Sequence, residues 1–154
     1  MKKGLFPGSF DPFTKGHEDV VRQALLLFDH VVIGVGVNES KKYLFDLNRR
    51  IAHIEALFQG ENVSVVSYSG LTIDFAKHCG ADFLIRGLRD SRDFSYERAI
   101  AHTNDQLSGI KSVFLLTRQE YGSINATIVR EIFINGGDIK AFVTKPELLV
   151  MDVV

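Results

Sequence analysis

A chain of 154 residues with 45% apolar content, 24% charged residues and no low-complexity tract has the make-up of one folded domain with its own core. A formal net charge of −1 excludes the whole-chain basic footprint of a nucleic-acid binder, and the lone cysteine, Cys79, excludes an internal disulfide or a cysteine-based metal cluster. No apolar stretch is long enough to span a bilayer, and Pro7, Gly8 and Asp11 interrupt any signal-peptide core behind Met1-Lys2-Lys3, so a cytoplasmic protein with no membrane and no nucleic-acid partner is expected.

In chain order, Gly4-Leu5-Phe6 closes a short apolar run that reads as a strand. The stretch Phe6-Pro7-Gly8-Ser9-Phe10-Asp11-Pro12-Phe13-Thr14-Lys15-Gly16-His17 follows as a loop. Pro7 and Pro12 stiffen it, and Gly8 lets the backbone turn close to a ligand. Val20, Val21, Ala24, Leu25 and Phe28 then recur at helical spacing. Gly16 sits where this helix begins, which puts His17 in the first turn beside free N–H groups and the positive dipole end, a place that attracts phosphate. A histidine there can donate to phosphate oxygens, as can the Ser9 hydroxyl and nearby backbone N–H groups. Spacing alone fits a tight turn opening a helix equally well.

Residues 31–37 are a β-branched run suited to a strand buried on both faces. A helix pattern follows at Leu47, Ile51, Ile54, Leu57 and Phe58, with Asp46 as its N-cap and Gly60 past its end. The cycle repeats: strand 63–66, helix 72–79 with Thr72 as a cap, strand 83–85, helix 94–107, strand 113–116, helix 126–133. Alternation of this kind predicts an α/β fold, a doubly wound, Rossmann-like, five-stranded parallel sheet with helices on both faces and right-handed crossovers. One domain spans 1–154, with 140–154 as a C-terminal helical segment that packs on the domain or on a neighbouring subunit.

Ligands in such sheets sit at the carboxyl ends of the strands, where strand order reverses. The segments 7–17, 38–42, 69–72, 86–92 and 117–125 should therefore share one rim. The second carries Lys41 and Lys42. The fourth carries Arg86-Gly87-Leu88-Arg89, in which Gly87 permits close backbone approach and two arginines can bind phosphate oxygens, or else lie on the surface capped by Asp90 and Asp93. Glu97 reads from chemistry alone as a solvated helix residue pairing near Arg98. The fifth, Tyr121-Gly122-Ser123-Ile124-Asn125-Ala126-Thr127, opens a helix at the same rim, suited to a triphosphate or its nucleoside. His30, His53, His78 and His102 lack metal-ligand spacing, and no residue reads as a metal ligand.

Gly8-Ser9-Phe10-Asp11-Pro12 with Thr14-Lys15-Gly16-His17 resembles the signature of the nucleotidylyltransferase superfamily, in which a Thr/His-x-Gly-His element binds nucleotide phosphates. Ser40-Lys41-Lys42, Arg86-Gly87-Leu88-Arg89 and Asp93-Phe94-Ser95-Tyr96-Glu97 narrow the likeness to the bacterial phosphopantetheine adenylyltransferase family. The resemblance implies AMP transfer from ATP to 4'-phosphopantetheine, giving dephospho-coenzyme A and pyrophosphate by direct in-line attack with no covalent intermediate. It implies Mg²⁺ as cofactor, a homo-hexamer and feedback inhibition by coenzyme A. It gives His17, Lys41 and Arg89 catalytic roles. It assigns Ser9, Phe10, His17, Gly87, Leu88, Arg89, Glu97, Tyr121, Gly122, Ser123, Ile124, Asn125, Ala126 and Thr127 to ATP, and Ser9, Lys41, Thr72 and Arg86 to the acceptor. The family's Ile-Ser-Ser-Ser/Thr pattern reads here as Ile124-Asn125-Ala126-Thr127, so weaker ATP binding is expected; a lost hydrogen bond to phosphate costs roughly 1.5–3 kcal/mol. Gly70 stands where the family often has an acid. Three rivals remain: a nucleotidylyltransferase for nicotinamide mononucleotide or glycerol 3-phosphate, a nucleotide-binding module without catalysis, and a doubly wound domain of the flavodoxin type, which explains none of the basic residues on the rim.

Overall fold

The computed structural model describes residues 1–150. Its strands β1 (Lys3–Gly8), β2 (His30–Gly36), β3 (Val63–Tyr68), β4 (Phe83–Leu88) and β5 (Lys111–Leu116) form one all-parallel sheet in the order β3-β2-β1-β4-β5. Between them run helices α1 (Lys15–Ala24), α2 (Leu47–Leu57), α3 (Thr72–His78) and α4 (Ser91–Ser108), and α5 (Ala126–Ile134) follows β5.

The period of two along the central strands divides the core. Phe6, Val31, Ile33, Val35 and Ile85 meet Val20, Val21 and Ala24 of α1 and Ile54 of α2 on one face. Leu5, Val32 and Leu84 meet Ile73 and Ala76 of α3 on the other. A β-branched run with both faces covered thus makes β2, as its composition predicts.

Strand order reverses between β1 and β4, and there the sheet splits. Those strands pair only at Gly4↔Phe83 and Leu5↔Leu84, while β1 stays paired with β2 as far as Gly8↔Val35. Pro7, which has no N–H to give a ladder, lies in the split, and its carbonyl accepts from Arg86 Nη1 at 2.9 Å. The expected loop therefore starts later, at Ser9, because Pro7 and Gly8 continue β1.

Other boundaries shift for local reasons. Asp90 Oδ1 accepts the N–H groups of Arg92 and Asp93, so α4 begins at Ser91 rather than Phe94. Thr72 does not cap α3: Leu71 holds that position without a side-chain bond, and the Thr72 hydroxyl lies 2.9 Å from the Tyr68 hydroxyl instead. Within the expected C-terminal helical segment, Pro146–Leu149 form one short 3₁₀ turn. It packs on its own domain, Leu149 being buried with Phe45, Val129, Ile139 and Val143. Residues 151–154 of that segment lie outside the described residues.

Candidate active site

Thr14 caps α1 in reciprocal fashion with His17. The Thr14 hydroxyl accepts from the His17 N–H at 3.4 Å, and His17 Nδ1 accepts from the Thr14 N–H at 3.0 Å. An accepting Nδ1 leaves the proton on Nε2, so the free nitrogen of this ring is a donor. Phe6, Phe10 and Phe13 surround the imidazole, with ring centroids 6.2, 5.1 and 5.4 Å from its own. Burial, then the charges of Arg86 and Arg89, lower its pKa from 6.5 to about 4. His17 is therefore a neutral Nε2–H donor at pH 7 in the free protein, able to donate to phosphate oxygens as its place in the first turn suggested.

That shift has a testable sign. Between pH 6.5 and about 4 the unfolded chain takes up the imidazole proton and the folded chain does not, so His17 supports the fold fully above pH 6.5 and progressively less as pH falls through this window. Urea denaturation across the window is expected to show a shallower pH slope for His17→Gln than for the parent chain, and equal slopes would mean that His17 titrates normally.

Two glycines on the cavity walls also make room for close packing. A Cβ on Gly8 would stand 2.8 Å from the Phe10 ring, and one on Gly87 would stand 2.7 Å from Val20 Cγ2 of α1. Phe10 itself holds φ = 50°, left-handed backbone that a bulky residue keeps only when its surroundings insist.

Two cavities open on the rim and share Pro7, Gly8 and Arg86 as a common wall. The first, about 300 Å³, is lined by Phe10, His17, Arg86, Gly87, Arg89, Glu97, Tyr121, Ile124, Asn125 and Ala126, together with Thr14 and Asp93. The second, about 370 Å³, is lined by Ser9, Lys41, Tyr43, Gly70, Thr72 and Arg86. Four residues expected at the site line neither. Leu88 is buried in β4, Gly122 ends a 3₁₀ turn, Ser123 is exposed, and Thr127 turns its hydroxyl to Arg130 Nη2 at 3.1 Å. Asn125 Oδ1 caps α5 by accepting from the Thr127 and Ile128 N–H groups.

Arg86 Nε and Nη2 donate to both oxygens of Glu97 at 2.8 and 2.6 Å. Glu97, which read as a solvated neighbour of Arg98, is instead buried in a two-toothed ion pair. Arg89 is steered by Asp93, Nε to Oδ2 at 3.1 Å, and by the Ile124 carbonyl at 3.0 Å. Burial alone would raise the Asp93 pKa; the hydrogen bonds and charge of Arg89 more than reverse this and hold it below the usual value. Both acids on the first cavity's wall thus face arginines. Among the described residues no group of three His, Cys, Asp or Glu side chains is placed to hold a metal ion.

Three positioning groups escaped the sequence reading. The Asp11 carboxylate, buried, accepts the N–H groups of Leu44 and Phe45 at 2.8 and 2.9 Å, joining the loop after β1 to the one after β2. Arg130 of α5 donates to the Asp11 carbonyl at 2.9 Å. Asp19, also buried, accepts from the Arg118 N–H and from Gln23 Nε2, which holds the segment after β5 against α1. Nothing local in the sequence announced these long-range pairs.

A parallel sheet whose switch point carries a helix N-terminus, a donor histidine and two steered arginines suits the handling of nucleotide phosphates. The model of the cytidylyltransferase-like family matches residues 5–132, and the chain belongs to that family of nucleotidyltransferases. It is 51% identical over 144 residues to the phosphopantetheine adenylyltransferase of Flavobacterium psychrophilum, covering 93% of this chain and 95% of that one. It is 46% identical over 153 residues to the phosphopantetheine adenylyltransferase of Phocaeicola vulgatus, covering 99% and 100%. Within the wider family, then, this chain is a member of the phosphopantetheine adenylyltransferases. Its fold is also that of a bifunctional NMN adenylyltransferase/ADP ribose pyrophosphatase from Francisella tularensis, with a TM-score of 0.69 at 20% identity over 95% of this chain and 46% of that one. A lipopolysaccharide core biosynthesis protein from Thermoplasma volcanium shares it with a TM-score of 0.57 at 22% identity, over 76% and 96%.

Proposed function

We propose that the protein transfers AMP from ATP to 4'-phosphopantetheine, forming dephospho-coenzyme A and pyrophosphate. The observation that carries this reading is the pair of cavities meeting at Arg86. ATP occupies the first, with its phosphates at His17 and Arg89 on the α1 side. The acceptor occupies the second, its phosphate between Ser9 and Lys41 and its pantetheine arm toward Thr72. An acceptor phosphate oxygen attacks the α-phosphorus in line. The bond from that phosphorus to the bridging oxygen breaks, and pyrophosphate departs with the electron pair.

The attacking oxygen is already anionic, so no nucleophilic side chain or general base is needed. Placement and charge stabilisation carry the catalysis. His17 contributes a preorganised Nε2–H donor; Lys41 and Arg89 contribute positive charge. Mg²⁺ bound with the nucleotide would supply further neutralisation of its phosphates, beside the charge and hydrogen bonds that His17, Lys41 and Arg89 provide.

In this reading the enzyme works in the cytoplasm as a homo-hexamer that coenzyme A inhibits. Among the described residues no helix is long and apolar enough to cross a membrane. Support for assembly comes from α4, which buries only Glu97 of its 18 residues and leaves Phe94, Tyr96 and Leu107 exposed. Support for inhibition comes from the contiguous cavities, which suit a ligand carrying both an adenylate and a pantetheine arm.

The test is pyrophosphate release with ATP and Mg²⁺, offering 4'-phosphopantetheine, nicotinamide mononucleotide and glycerol 3-phosphate in parallel. Release with the first alone is expected. Reaction with another acceptor would overturn the substrate, and ATP binding without release would leave a nucleotide-binding module.

A further inference from the structure

Arg50 lies in α2 with 1% of its surface exposed, and it lines neither cavity. A cation is costly to bury unless its donors are satisfied, so where those donors go shows what the residue is for. Nη1 donates to the Ser9 carbonyl at 2.6 Å, and Nε donates to the Phe45 carbonyl at 3.0 Å. The guanidinium carbon stands 4.1 Å from the centre of the Tyr43 ring.

Of those partners, Ser9 and Tyr43 line the second cavity, and Phe45 is buried just beyond Tyr43. Ser9 follows β1, whereas Tyr43 and Phe45 follow β2 on the segment that carries Lys41. Tyr43 also reaches the base of that segment, since its hydroxyl accepts from the Asn38 N–H at 3.0 Å and lies 3.4 Å from the Gly36 carbonyl. Lys41 Nζ stands 5.4 Å from the centre of the same ring. Lys41 itself is exposed on a loop, and its contact with the Tyr43 ring is what gives its ammonium a resting place.

We propose that Arg50 is a positioning residue for the transfer: by tying Ser9 to Phe45 and stacking on Tyr43, it sets where Lys41 stands across the acceptor cavity. Arginine suits the task because one planar fork serves two carbonyls while its face covers a ring. A lysine at this position offers a single point charge. The inference rests on the reading of Lys41 as the acceptor's phosphate partner.

The test is a double-mutant cycle in the full chain with Arg50→Met, Lys41→Ala and the pair, reading pyrophosphate release at varied ATP and varied 4'-phosphopantetheine. Arg50→Met is expected to lower kcat/KM for the acceptor about 10–100-fold and to move KM for ATP less than about twofold. The pair is expected to fall close to Lys41→Ala alone, because residues acting through one another are not additive. Arg50→Lys should fail to restore activity. Losses that simply multiply, or that fall equally on ATP, would overturn the proposal. Should Arg50→Met not fold, Tyr43→Leu takes its place in the cycle, since it removes the ring and leaves both carbonyl bonds.

Amide exchange supplies a readout independent of the acceptor. Arg50→Met is expected to speed exchange at Leu44 and Phe45 at least tenfold while Val32 in the sheet keeps its rate; unchanged rates at 44 and 45 would overturn the link. A parent chain inactive on 4'-phosphopantetheine would instead overturn the acceptor reading. The cycle then runs on whichever phosphate acceptor reacts, and exchange judges Arg50 separately.

Discussion

His17→Ala is expected to lower the turnover of pyrophosphate release about 10²–10³-fold, the usual cost of losing one preorganised donor at a site where charge develops. The loss should fall on kcat more than on ATP affinity, because the neutral imidazole of the free protein gains little from the ground-state phosphates alone. Folding should suffer far less. Thr14 keeps its own bond to the backbone N–H at position 17, and only the reverse half of the cap disappears, a matter of about 1 kcal/mol. Steady-state kinetics beside a thermal melt would separate the two effects. Undiminished turnover in a folded variant would remove His17 from the mechanism.

Arg86→Met is expected to damage both fold and reaction, and the two losses can be pulled apart. The substitution strands the Glu97 carboxylate, whose side chain is only 9% exposed, without its guanidinium partner. Breaking a fully buried pair costs about 3–5 kcal/mol; with the Arg86 side chain 32% exposed, solvent screening brings the expectation to about 2–3 kcal/mol. A second change, Glu97→Gln, removes the stranded charge and should return part of that stability. It should return none of the activity, which is expected to stay at least about 10²-fold below the parent because no guanidinium stands between the cavities. Denaturant melts of single and double variants, with kinetics on each, make the measurement. Recovery of activity along with stability would mean that Arg86 matters only as the partner of Glu97.

Much of this architecture was legible in the amino-acid order, for reasons that differ from element to element. β2 declared itself because a strand covered on both faces needs an unbroken apolar, β-branched run, and residues 31–37 have little else. The rim followed from alternation, since parallel strands point their carboxyl ends the same way and so gather the segments after β1, β2, β3, β4 and β5. The phosphate-facing end of α1 was readable because Thr14, Gly16 and His17 act within one turn. What stayed hidden was mostly contact at a distance. Arg86 and Glu97 are 11 residues apart across a strand-to-helix junction, and only the angle between β4 and α4 decides that they meet. Asp11 finds its amides 33 and 34 residues away. Gly8 and Gly87 signalled close approach without saying what approaches, and beside the cavity wall they admit Phe10 and Val20.

The split in the sheet also bears on the order in which the molecule comes together. β1, β2 and β3 are neighbours in the chain and in the sheet, so their pairing closes short loops and can begin early. The β1–β4 seam joins Leu5 to Leu84, and Arg86 reaches Pro7 across 79 residues, a late and entropically expensive closure. The loop that follows β1 is thus among the first parts to be synthesised and among the last to gain its floor. A half-made chain that has already joined β1, β2 and β3 holds His17 without Arg86 or Arg89 beside it, so competence for nucleotide waits for the docking of β4 and of the segment after β5 that carries Tyr121 and Ala126. Nascent chains, proteolytic fragments and split chains that end before Phe83 should all be silent for the same reason.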